Sequence, residues 1–320
     1  MSRFLAIRAV TLTAGLFLAS LIIFAALRLL PGDVAQVIGG TTASPQRIAE
    51  LRAQLGLDRP MLLQYTDWIG GIFTGDLGRS IVSGSPIAGE LAQKAQVTVP
   101  LTIYSLLIAL LIALPLGILT AYRRDALASR ALSVLGVGAA AVPIVWAGLL
   151  GAIVFSGWLG WLPAQGFPRA GWADPLAALR ALTLPALTIG LLVGAILFRF
   201  VRSATLGALH AEHVRTAMSQ GRTRLGALVR HGLPGVGLSI VSLLGLQLAE
   251  LLVGAVVVEQ LFNLPGLGRM LVTDVGNRDL LKVQSTLFVL TAVILVLGAL
   301  IDVLHRLIDP RLRVDAEDER

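Results

Sequence analysis

The chain has 320 residues, of which 56% are hydrophobic and 14% charged, against roughly 25% charged in a soluble globular domain. That balance excludes a water-soluble fold, and 34 Gly and 14 Pro scattered among long apolar runs exclude disordered and collagen-like chains. The net charge of +7 comes from 24 Arg and two Lys, Lys94 and Lys282, and the lack of Cys removes disulfides, Cys-ligated zinc, iron–sulfur clusters and thiol nucleophiles.

Residues 9–27 carry no charge, and at about 1.5 Å rise each they cover the roughly 30 Å of hydrocarbon in a bilayer. A cleaved signal peptide has a shorter apolar core followed by small residues, whereas this run meets Arg28-Leu29-Leu30-Pro31-Gly32-Asp33. A retained first span is expected. In the polar stretch that follows, Ser44-Pro45 opens a helix through Leu55 and Gly56 closes it, which predicts a small ordered cap over residues 28–94. Further charge-free runs lie at 95–122, 131–168, 181–198, 232–249 and 283–301. The second of these five is too long for one helix, but its Gly157-to-Pro163 segment breaks it and leaves 131–156 as the span. The segment from Asn263 to Gln284 is rich in turn residues and joins the last two spans. Six spanning helices are predicted.

Orientation follows from Lys and Arg in the short connections. With the N-terminus inside, fifteen of the 26 basic residues face the cytoplasm, among them Arg123, Arg124, Arg215, Arg222, Arg224 and Arg306. Six of the eleven outside belong to residues 28–94, a stretch too long to obey the rule. The prediction is N-in and C-in, with 28–94 an extracytoplasmic insert and 307–320 a cytoplasmic tail.

Chemistry within the chain finds little support. A P-loop needs Gly-Lys, yet Lys94 follows Gln93 and Lys282 follows Leu281. The four His, at 210, 213, 231 and 305, fall at or beyond cytoplasmic helix ends, so no Ser–His pair forms at membrane depth. Glu250 interrupts the fifth span, where a charge facing lipid costs at least about 2.5 to 3.5 kcal/mol. It is expected to face a polar interior, either as part of a substrate path or as a group bonded to a neighbouring helix. From composition alone, a channel-like or secondary-transport membrane subunit remains open.

The most informative connection joins the fourth and fifth spans: Ala211-Glu212-His213-Val214-Arg215-Thr216-Ala217-Met218-Ser219-Gln220-Gly221, continuing from Arg222 to His231-Gly232-Leu233-Pro234. Val214, Ala217 and Met218 recur at helical spacing, a small apolar stripe on one face, although an ordinary basic loop obeying the positive-inside rule fits the same residues. A short helix over 213–225 is predicted, with Gly221 its critical turn and Pro234 able to start the next span.

This loop resembles the coupling motif of ABC-importer permeases, which reads Glu-Ala-Ala, three residues, Gly, nine residues, Ile-x-Leu-Pro. Here Arg215-Thr216-Ala217, then Gly221, then His231-Gly232-Leu233-Pro234 occupy those places without an insertion. Val-Arg-Thr-Ala-x-x-x-Gly is the form common in the dipeptide and oligopeptide branch; His231 replaces the usual Ile. Leu30-Pro31-Gly32-Asp33, Gly75-Asp76-Leu77-Gly78, Leu184-Pro185-Ala186-Leu187-Thr188, Glu259-Gln260-Leu261-Phe262 and Leu307-Ile308-Asp309-Pro310-Arg311 are similar to the same branch, in order along the chain.

The resemblance implies an all-α integral membrane protein of six transmembrane helices in the type I importer architecture, with an extracytoplasmic insert after the first span. It implies an N-terminal helix and insert over 1–94, a transmembrane core over 95–306 containing the coupling loop 211–234, and a tail over 307–320. The chain would bind no cofactor, while ATP and Mg would be used by two partner ATPase subunits or domains docked on Arg215, Thr216, Ala217, Gly221, Leu233 and Pro234. A second homologous permease, an extracytoplasmic substrate-binding protein and membrane lipid complete the implied partners, and nucleic acid is not among them. The substrates of the branch are dipeptides, oligopeptides, nickel chelates, glutathione and other small solutes.

Overall fold

The computed structural model describes residues 2–29, 34–39, 43–54 and 56–308. The Leu30-to-Asp33 motif, Leu55 and the tail beyond residue 308 lie outside the described residues.

In chain order the helices are α1 (Ser2–Arg28), α2 (Val34–Gly39), α3 (Pro45–Gln54), α4 (Met61–Thr74), α5 (Ile87–Tyr122), α6 (Leu127–Ala140) and α7 (Ile144–Gly151). After these come α8 (Pro175–His210), α9 (Glu212–Ser219), α10 (Arg224–Ala227), α11 (Leu233–Leu261), α12 (Leu267–Gly276) and α13 (Leu280–Ile308). Two π-helical turns, Ala152–Trp158 and Leu228–Gly232, extend α7 and lead into α11. Apart from an isolated bridge between Arg79 and Pro86, the regular structure among the described residues is helical. The predicted α3 is present: the Ser44 hydroxyl accepts the Arg47 N–H at 3.2 Å, and Gly56 has φ +65°.

Five helices are long and apolar enough to cross a membrane, and a sixth crossing is available if Leu127–Ala140 and Ile144–Trp158 act as one broken span. The expected continuous span over 131–156 is therefore corrected, because this pair bends by 106°. Pro143 explains the break: it offers no N–H to the carbonyl one turn back and pushes Val142 out of helical geometry. The span expected to begin at 95 instead begins at Ile87, so Glu90 and Lys94 sit inside α5.

The chain divides into two compact units, one of Met1–Thr98 with Pro265–Val296 and one of Val99–Leu264 with Leu297–Arg320. In the second unit α8 is the buried centre. Small residues permit the close packing: a Cβ at Gly190 would lie 2.9 Å from the Ser105 carbonyl oxygen, and one at Gly148 would lie 2.4 Å from Leu261. With no hydrophobic drive between helices in lipid, such close van der Waals contact is what holds them.

In the first unit, Trp68 of α4 is the anchor. Its ring lies 6.5 Å from Phe24 of α1 and 5.6 Å from Phe288 of α13, and its indole N–H donates to the Ser285 hydroxyl at 3.3 Å. Tyr65 adds an edge contact to Phe24 at 5.4 Å and a hydroxyl bond to Ser20 at 2.8 Å. The amphipathic aromatic body with one polar handle suits a site where apolar helices meet polar ends. Ile87, Leu91, Leu267 and Met270 form a second buried cluster that seats α12 on α5.

Candidate functional site

The loop singled out by its sequence forms two short helices. α8 stops where Ala211 turns extended (ψ 141°), and Glu212 then stands in the first turn of α9, where a negative charge suits the helix dipole. At the far end Gly221 has φ +88°. The Gly221 N–H donates to the Met218 carbonyl at 3.0 Å and the Arg222 N–H to the Ala217 carbonyl at 3.2 Å. These are the two bonds of a Schellman stop, which satisfies carbonyls the helix leaves orphaned. Thr223 then caps α10 by accepting the Gly226 N–H at 3.2 Å. A single helix over 213–225 is thus corrected to one that ends at Ser219.

Leu233 and Pro234 open α11, as the fixed φ of proline favours at a helix start. The His213 ring bonds the His231 carbonyl at 3.1 Å, joining the two ends of the loop. That gives the unusual His231 a role through its backbone rather than its side chain.

The apolar stripe does not face outward. Val214 and Ala217 are 0% and 5% exposed, packed with Ala227 and flanked by Met218. Burying Val214 and Ala217 against Ala227 of α10 removes them from water at the cost of leaving no docking ridge there. The exposed face of α9 and its turn is polar: Arg215, Thr216, Ser219, Gln220 and Arg222. Arg224 is exposed, with its guanidinium 5.3 Å from the Tyr122 ring centre.

Glu250 lies on α11 and is exposed in the single chain, so it does not face this chain's own interior as expected. Gln247, one turn earlier, is 2% exposed, and its side-chain oxygen lacks a hydrogen-bond partner among the described residues. Glu259, by contrast, is fully buried, which hydropathy hides because it sits at the polar end of the run.

Sequence reading also missed an ion cluster in the first unit. Lys282 Nζ lies 2.5 Å from a Glu90 oxygen and 3.1 Å from Asp274. Asp279 accepts the Ser80 hydroxyl at 2.5 Å and the Ile81 N–H at 3.2 Å. Burial pushes the Asp274 carboxyl above the usual carboxylate range, with the Lys282 ammonium pulling it back. The only signal in the sequence was the rarity of Lys; Asp274 lies eight residues before Lys282, whereas Glu90 stands far off along the chain.

Residues 113–314 match the family described as binding-protein-dependent transport system inner membrane component, and residues 1–104 match the N-terminal membrane component of the same systems. The chain belongs to that family. It is 34% identical over 301 residues to a Brucella abortus protein named as a peptide transport system permease, covering 94% of this chain and 95% of the other. It is 35% identical over 298 residues to the glutathione transport system permease protein GsiC of Escherichia coli K12, covering 93% and 94%. The permease is the multi-pass membrane subunit of an ABC importer. It is not itself an enzyme, since ATPase activity in these systems lies in separate subunits, and a substrate-binding protein is a partner of the family. The channel-like and secondary-transport alternatives are not favoured.

Proposed function

We propose that this permease forms the translocation path for peptides or a related small solute, with both termini in the cytoplasm and residues 28–94 outside. Peptide and glutathione permeases among its relatives support the substrate class. Two ATPase subunits or domains, using ATP and Mg, would dock at loop 211–234, and a second homologous permease would complete the path. The division into 1–94, 95–306 and 307–320 belongs to this proposal, and the matched family regions, 1–104 and 113–314, support only an N-terminal part followed by a transport core.

The observation that carries the coupling role is the α9 stop at Gly221, beside which Arg215, Thr216 and Arg222 are exposed together with Glu212. The two arginines suit an acidic groove on an ATPase, and the rigid turn transmits its movement to α8 and α11. Ala217, Leu233 and Pro234 then serve by shaping the loop. Glu250, exposed on one chain, would be shielded from lipid by the second permease and so line a path between them.

Reconstitution tests this reading. Uptake of a peptide into proteoliposomes should require ATP, the ATPase subunits and the binding protein together. A steady ion current in the absence of all three would identify a channel instead.

A further inference from the structure

A cavity of about 800 Å³ opens in the first unit beside the end of α1, α4, the turn before α5 and the start of α13. Leu57, Trp68 and Leu281 give it apolar walls, and Arg28, Arg59 and Arg79 line it with cations. Most of its polar groups are already satisfied. Arg59 pairs with Asp67 at 2.6 Å, Arg79 donates to the Gly84 carbonyl at 3.0 Å, and Asp76 accepts the Gly78 N–H at 2.9 Å.

Two lining groups are not satisfied. The Arg28 guanidinium stands 5.0 Å from the Phe24 ring centre and has no carboxylate partner among the described residues. Gln284 is 4% exposed, and its amide has no hydrogen bond among the described residues. A planar guanidinium and a buried amide lining one cavity can each donate to acceptor oxygens, and the guanidinium calls for negative ones.

Arg28 ends the uncharged stretch 9–27, so the cavity opens where hydrocarbon gives way to headgroups. On α4, which also lines the cavity, Leu62 and Phe73 are 72% and 87% exposed. We propose that this cavity binds the phosphate of an anionic phospholipid headgroup, held by Arg28 and Gln284, with the apolar wall taking the glycerol and first methylenes. The proposal needs the membrane spans but not the importer mechanism. Phosphate esters in solution offer the same oxygens without the chains, and the test separates them.

The full-length permease, purified in detergent, would be examined by native mass spectrometry and thermal unfolding with phosphatidylglycerol, with diacylglycerol of the same chains, and with glycerol 3-phosphate. Phosphatidylglycerol alone should be retained and should raise the unfolding temperature. Arg28→Gln and Gln284→Leu should each lower its affinity by about tenfold, the loss of one charge-assisted or buried hydrogen bond. Arg28→Lys keeps the charge and should hold an intermediate amount, which guards against a folding defect in Arg28→Gln. Wild-type retention in both Arg28→Gln and Gln284→Leu would overturn the site. Equal, Arg28-dependent stabilisation by glycerol 3-phosphate would overturn its assignment to lipid.

Discussion

Gly221 carries the most local demand in the chain. Its φ of +88° lies where an L side chain is strained, yet a Cβ there would meet nothing within 4 Å. The penalty is therefore one of backbone alone, about 1 kcal/mol for most residues and less for Asn. Gly221→Asn should retain ATPase co-purification and coupled uptake, while Gly221→Val should weaken both at equal permease levels. Equal behaviour of the two variants would remove the turn from the coupling mechanism. Ala217 acts differently, because it is buried against Ala227. Ala217→Asp puts a charge into that contact and should open the loop to proteolysis, whereas Arg215→Glu should leave the loop protected but reduce ATPase binding. Glu250 is exposed, so Glu250→Gln should preserve expression and detergent stability while changing transport or its pH dependence. Unchanged transport would take Glu250 off the path.

Among elements, α4 is the one whose seat is most sharply defined. Trp68 fills the space between Phe24 and Phe288, and a buried Trp→Ala truncation costs about 3 to 5 kcal/mol. Trp68→Ala should lower the unfolding temperature of the purified permease markedly, and Ser285→Ala, which removes one hydrogen bond, should cost about 1 kcal/mol. A smaller loss from Trp68→Ala than from Ser285→Ala would mean that α4 is not anchored by its aromatic core. The bent pair α6 and α7 shows why hydropathy alone misplaces an element: its uncharged run is continuous, while Pro143 turns the chain by 106°. α5 is the converse case. Its charges at Glu90 and Lys94 look like a boundary, but Lys282 neutralises Glu90 and the helix passes straight through.

At the scale of the whole molecule the testable quantity is topology. The chain lacks Cys, so single cysteines at Ser44, Arg124, Gly171, Gln220 and Asn277 can be probed one at a time in intact cells. An impermeant thiol reagent should label Ser44, Gly171 and Asn277 and spare Arg124 and Gln220. Labelling of Gln220 from outside would invert the proposed orientation and place loop 211–234 away from any cytoplasmic ATPase.

What the sequence determined by itself was what depends on neighbours along the chain. The uncharged runs, the helical class, the α3 helix with its Ser44 cap, and the Gly221 stop all arise from residues within a few turns of one another. Their physical causes, hydrocarbon thickness and left-handed backbone at glycine, need no tertiary context. The tertiary structure decided whatever depends on partners far along the chain. It turned the Val214–Ala217 stripe inward onto Ala227, left Glu250 on the surface, and brought Lys282 to Glu90. Periodicity marks which face of a helix is apolar, but only packing decides what covers that face, and an ion pair has no signature until both halves are placed.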